Sequence, residues 1–216
     1  MPKRALIQHR PWLLVSLACA LAFYFLWNNP IGGLWLILLK GGAVGFLAVY
    51  ALARAPGVDG VILTAALALS SLADMVLELS LEVGGALFAA SHLVAVVLYL
   101  RNRRESTVWS QRLLAIALLA GAPAISYLLS GQVQIAIYAV TLGLMAASAW
   151  VSRFPRYRVG IGAVLFVVSD WLIFSRMGPF DLAPFPDMLV WPLYYAGQLM
   201  IATGVVQTLR GETAAR

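Results

Sequence analysis

Two acids, Asp74 and Asp170, and one lysine sit inside apolar runs of this chain, where packing calls for no ion. A third acid, Glu78, follows Asp74 by one turn, and its bland reading is a place at the outer interface. Asp74 and Glu78 lie in Ser70-Ser71-Leu72-Ala73-Asp74-Met75-Val76-Leu77-Glu78. Residues four apart share a helical face, so Ser70, Asp74 and Glu78 form one polar stripe. Asp170 follows Ser169 in another apolar run far along the chain, and Lys40 stands between Leu39 and Gly41. An ionisable side chain in hydrocarbon is costly and marks a functional site by default. Two carboxylates brought close cannot easily both ionise, which leaves one neutral acid beside one anion. That pairing suits general acid catalysis through a cation-like transition state. Lys40 is expected as the counter-ion of one Asp. The expectation is that Asp74 and Asp170 meet in one polar pocket.

The elements that must position these groups follow from composition. Of 216 residues, 62% are hydrophobic and only 11% are charged. Soluble domains average about 45–50% and about 25%. The fold class expected is all-α and polytopic, a single integral membrane domain over residues 1–216. Eight transmembrane helices are expected at roughly 11–27, 31–52, 61–79, 84–100, 112–129, 132–151, 158–176 and 188–209. Each approaches the ~20 residues that cross a hydrocarbon core. Helices rather than strands follow from their length and lack of strict alternation. The basic start and apolar stretch up to Trp27 resemble a signal peptide, but no small-x-small cleavage site stands out, so an uncleaved first span is expected.

Punctuation marks the span ends. Asn28-Asn29-Pro30, Ala55-Pro56-Gly57 and Ser130-Gly131-Gln132 predict tight links, and Gly178 to Pro186 the longest loop. Pro123 is expected to kink the fifth span. Pro192 is expected in the first turn or two of the eighth, where proline is tolerated.

The formal net charge is +6. In a soluble protein it would raise nucleic acid as a partner. Here the basic residues occupy alternate ends of the spans, so they read as orientation signals and no nucleic acid is expected. Lys3, Arg4, Arg10, Arg54, Arg101, Arg103, Arg104, Arg112, Arg153, Arg156, Arg158, Arg210 and Arg216 fall on one side. Arg176 lies on the other, with Glu78, Glu82, Asp181 and Asp187. Both termini are therefore expected in the cytoplasm. That orientation puts Lys40, Asp74, His92, Asp170 and Gln198 in one depth band, between the midplane and the outer surface, which favours one shared site.

Other polar residues join these by spacing. Phe88, His92 and Tyr99 form a narrower stripe, and Tyr194 and Gln198 are four apart. The bland reading of each is a packing contact, a helix–helix hydrogen bond or an interfacial anchor. Trp12, Trp27, Trp171 and Trp191 are expected as anchors. Equivalent placement of Asp74 and Asp170 also raises two parallel four-helix repeats, with Phe88–His92 aligned on Tyr194–Gln198. A three-histidine zinc site cannot be built from His9 and His92. Asp74, His92 and Asp170 could hold a metal only if they converge. There is no Ser-His-Asp elbow, glycine-rich phosphate loop or CxxC, and Cys19 is the single cysteine. No metal and no cofactor is expected.

Five motifs in order resemble the YhhN-like, or lysoplasmalogenase, membrane family. They are Ser70–Asp74; Val83 to His92; Tyr138 to Met145; Gly162 to Asp170; and Tyr194 to Ile201, with Lys40 where that family has a lysine. Ala73, Gly41 and Ala95 replace the glycine, proline and tyrosine usual in the family. The resemblance implies hydrolysis of the vinyl ether of a lysoplasmalogen, giving a fatty aldehyde and a glycerophospho-base. The substrate, a lysophospholipid, would enter sideways from the membrane lipids, and water would be the second reactant. Asp74 and Asp170 would share proton delivery and cation stabilisation. His92 would orient or relay protons. Lys40 would meet a carboxylate or the phosphate. Ser70, Glu78, Tyr138, Ser169, Tyr194, Tyr195 and Gln198 would line the substrate site. The location implied is a bacterial inner membrane. Rival readings are another intramembrane lipid hydrolase, one with a metal included; a proton-coupled transporter or receptor; and a structural polar network.

Overall fold

In lipid, every backbone N–H and C=O must find its partner within the chain, and a helix does this within one segment. The structure, a computed structural model, describes residues 10–28, 33–180 and 182–214. It contains α1 (Arg10–Leu26), α2 (Gly33–Arg54), α3 (Gly57–Leu77), α4 (Leu81–Arg101), α5 (Trp109–Ser130), α6 (Val133–Val151), α7 (Ile161–Ser175) and α8 (Phe185–Ala214). A π-helical turn, Arg156–Gly160, leads into α7. The eight spans expected from the sequence are these eight helices, with ends displaced by up to five residues. Lys3, Arg4, His9, Asn29-Pro30, Asp181 and Arg216 lie outside the described residues.

Seven of the helices are long and apolar enough to cross a membrane, α7 counted with its π-turn, and Pro11–Leu26 is a shorter apolar helix. Their outer faces carry Leu34, Trp35, Leu52, Val61, Ile116, Leu128 and Ile137, all well exposed. Soluble proteins avoid such large apolar surfaces. The chain is a polytopic helical membrane protein.

Tight links are made by residues suited to them. Pro56 caps α3 with extended backbone, directly after α2 ends at Arg54. Gly131 closes α5 in the left-handed region at φ 68°, which suits a residue without Cβ, and its N–H donates to the Tyr127 carbonyl. Helix α8 begins at Phe185, which puts Pro192 at the end of its second turn. One expectation needs correction: Trp191 is not an interfacial anchor, because it is 9% exposed and its ring stacks on Tyr195 at 6.3 Å.

The chain divides into two compact units: residues 1–91 with 205–216, and residues 92–204. In the first, α2 packs between α1 and α3. Small residues allow the approach. The Ser16 hydroxyl donates to the Ala43 carbonyl, and that of Ser71 to the Gly41 carbonyl at 2.7 Å. In the second, α5 lies along α6 and both touch α7. Gly143 faces the Leu118 and Leu119 carbonyls, each 3.0 Å from where a Cβ would stand. Gly162 of α7 and Gly197 of α8 face each other still more closely. A Cβ on either would come within 2.7 or 2.6 Å of the other's carbonyl oxygen.

Candidate active site

The second unit gathers the larger group of sequence-predicted residues. Asp170 sits on α7, 5% exposed, two turns after the Gly162 approach. Tyr138 of α6 donates its phenolic O–H to Asp170 Oδ2 at 2.8 Å. One turn later on the same α6 face, Thr141 donates to the Tyr138 carbonyl at 2.8 Å. His92 of α4, 2% exposed, places Nδ1 3.2 Å from the Thr141 hydroxyl. A carbonyl only accepts, so the one proton of Thr141 goes to Tyr138 O. In the contact with His92 the hydroxyl then accepts, and Nδ1 carries the hydrogen. In the neutral imidazole this leaves the lone pair on Nε2.

Aromatic rings hold this constellation in place. Phe166 of α7 presents edge-to-face contacts to His92 at 5.1 Å and to Tyr194 at 5.0 Å. Tyr138 meets His92 at 5.6 Å and Phe174 at 5.9 Å. Such pairs contribute roughly 0.5–1.5 kcal/mol each beyond area burial. Gln198 Nε2 reaches the Tyr194 hydroxyl at 3.5 Å, a long bond between residues one turn apart on α8. Ser169 donates to the Val190 carbonyl and so ties α7 to α8. Tyr195 is buried against Trp191.

The first unit holds the rest. Ser70, Ser71 and Asp74 are buried on α3, with Asp74 2% exposed. Ser91 donates to the Ala66 carbonyl at 2.9 Å, so in its 2.7 Å contact with Ser70 it is Ser70 that donates. Glu78, just past the end of α3, forms an ion pair with Lys40 of α2. Lys40 Nζ also stands 5.6 Å from the Phe23 ring centroid. Lys40 was expected opposite an Asp; the carboxylate it meets is Glu78.

Several members of these clusters are not among the site residues expected from the sequence, Thr141, Ser91 and Phe166 among them. Thr141 is the polar residue in Val140-Thr141-Leu142, three positions after Tyr138, and that spacing is a signal. Ser91 adjoins His92. Phe166 gave no signal, since a phenylalanine in an apolar span is ordinary.

Among the described residues, no group of three or more His, Cys, Asp or Glu side chains is placed to hold a metal ion. No curated protein and no solved structure matches the chain. The model of one protein family, described as the YhhN family, matches residues 35–205. That range is most of the chain and includes every residue assigned to the two clusters except Phe23.

Proposed function

We propose that this chain, which belongs to the YhhN family, is an intramembrane hydrolase that cleaves the vinyl ether of lysoplasmalogens. Family membership is consistent with a membrane hydrolase; the bond cleaved and the residues that cleave it are our reading. The observation that carries it is the buried carboxyl of Asp170 held by the Tyr138 hydroxyl.

The reaction has two stages. A proton moves to the β-carbon of the vinyl ether, and the double-bond electrons form the new C–H bond. The α-carbon becomes an oxocarbenium ion. Water adds to it, loses a proton and gives a hemiacetal, which separates into a fatty aldehyde and a glycerophospho-base. Proton transfer by a positioned side chain contributes typically about 10²–10⁴ in rate. In this reading Asp170 delivers the proton. Tyr138 occupies Oδ2, so the delivering oxygen is Oδ1. His92, with hydrogen on Nδ1, offers Nε2 to accept the proton that water releases. Asp74 is the second carboxylate of the reading, stabilising the cation. Its role rests on burial and on the family resemblance. Tyr194 and Gln198 orient the ether oxygen or water. Lys40, Ser70, Glu78, Ser169 and Tyr195 support binding of the lysophospholipid, which enters from the bilayer. The positive-inside rule supports cytoplasmic termini, in the inner membrane of a bacterium.

The deciding experiment is aldehyde release by the purified, detergent-solubilised protein. A 1-alkenyl lysophospholipid is compared with its 1-acyl counterpart. Release from the first and none from the second supports the reading. Fatty acid release from the acyl lipid, or no aldehyde from folded protein, overturns it.

A further inference from the structure

We propose that the α4–α5 and α6–α7 connections of the second unit bind the phosphate of an anionic phospholipid, held by Arg104 and Arg156. This site is separate from the hydrolytic reading and does not depend on it.

The two connections are zipped together. Arg103 pairs antiparallel with Ser152. The Arg104 N–H donates to the Val151 carbonyl at 3.2 Å, and the Arg153 N–H to that of Asn102 at 2.7 Å. Arg104 spends Nε on the Ser152 carbonyl at 2.7 Å and Nη2 on that of Phe154 at 3.2 Å. Arg156 opens the π-turn. With the Gln111 amide turned so that its oxygen faces the guanidinium, both terminal nitrogens of Arg156 donate to it. The Arg156 Nε is buried and has no hydrogen-bond partner.

The two guanidinium groups are close enough to repel. Partial burial first, and the Arg156 charge second, lower the pKa of Arg104. Among the described residues no carboxylate forms an ion pair with either arginine, the exposed Glu105 beside Arg104 included. Gln111 belongs to the first turn of α5, a 22-residue helix with no acid in that turn and no side-chain cap. Its dipole adds positive potential at the same point. Two partly buried like charges, an orphaned donor and a helix N-terminus all favour an anion. Arginine forks match phosphate oxygens in paired, charge-assisted bonds.

The surroundings point to lipid as the source of that phosphate. Trp109, 69% exposed, stands two residues before Gln111, and Tyr157, 82% exposed, directly follows Arg156. Aromatic residues concentrate at the level of lipid headgroups. The arginines lie on the side that the positive-inside rule assigns to the cytoplasm, whose leaflet is rich in anionic lipid.

The test is lipid retention by the purified full-length protein, measured by native mass spectrometry. Diacyl phosphatidylglycerol, diacyl phosphatidylcholine and soluble glycerol phosphate are titrated separately; none has a vinyl ether. The wild type is expected to retain phosphatidylglycerol in preference to phosphatidylcholine. Arg156→Gln should weaken that retention roughly five- to tenfold, from about 1 kcal/mol or more per arginine near a lipid surface. Arg156→Lys should recover part of it. Arg176→Gln, at the opposite end of α7, should leave it unchanged. Equal retention of both lipids, no effect of Arg156→Gln in protein with wild-type melting, or an equal loss in Arg176→Gln would each overturn the proposal. Occupancy by glycerol phosphate at the lipid's own concentration would also overturn it, since the ligand would then be a free phosphate.

Discussion

The Tyr138 hydroxyl donates to Asp170 Oδ2 at 2.8 Å and joins α6 to α7 at the most buried acid among the described residues of the second unit. This bond fixes which carboxyl oxygen is available. It also separates two substitutions that would otherwise look alike. Asp170→Asn removes the transferable proton, and aldehyde release should fall by about a hundredfold or more. Tyr138→Phe leaves the carboxyl and removes its orientation, and the fall should be roughly tenfold, the scale of one hydrogen bond. Both are read in aldehyde assays beside melting curves. Full activity in Asp170→Asn would refute the proposed donor.

Thr141 fixes the hydrogen of His92 on Nδ1 through a contact of 3.2 Å. Thr141→Val keeps the shape and deletes the acceptor. Nitrogen NMR of the imidazole should then show a mixture of tautomers, where the wild type should show hydrogen on Nδ1. Thr141→Ser should restore the wild-type spectrum. An unchanged tautomer in Thr141→Val would mean that the hydroxyl does not set it.

The Lys40–Glu78 pair is half open, with Glu78 39% exposed at its side chain. A double-mutant cycle with Lys40→Met and Glu78→Gln should give a coupling of about 1 kcal/mol or less. If Lys40 also meets substrate phosphate, Lys40→Met should raise KM well beyond the effect of Glu78→Gln. Equal KM changes in the two would assign Lys40 to structure alone.

Gly162 and Gly85 are both helical, but their surroundings differ. A Cβ on Gly162 would stand 2.7 Å from the Gly197 carbonyl, whereas nothing lies within 4 Å of one on Gly85. Gly162→Ala should cost about 1–3 kcal/mol through overpacking. Gly85→Ala should stabilise by about 0.5–1 kcal/mol through helix propensity. Thermal melting in one detergent checks both.

Much of this was legible in the sequence because hydrocarbon imposes a single rule on every span. Run length and punctuation located eight helices, and the cost of a buried ion singled out Asp74 and Asp170. Partners were harder to read, because they depend on helix rotation. Lys40 meets Glu78 because α2 and α3 are neighbours, and no spacing along one helix reports that. Trp191 looked like an anchor because α8 was expected to begin three residues late. The true start at Phe185 carries Trp191 nearly two turns inward. The π-helical turn at Arg156–Gly160 left no periodic signal at all.

The Gly162–Gly197 approach constrains how this chain can change. Each glycine already carries the smallest side group available, and each is crowded by the backbone of the other. A larger residue at one position therefore cannot be offset by a smaller one at its partner. A genetic search for second-site suppressors of Gly162→Ala has no reciprocal answer to find at residue 197. Any suppressor must instead move a whole helix, and the mutations that do so will fall elsewhere along α7 and α8.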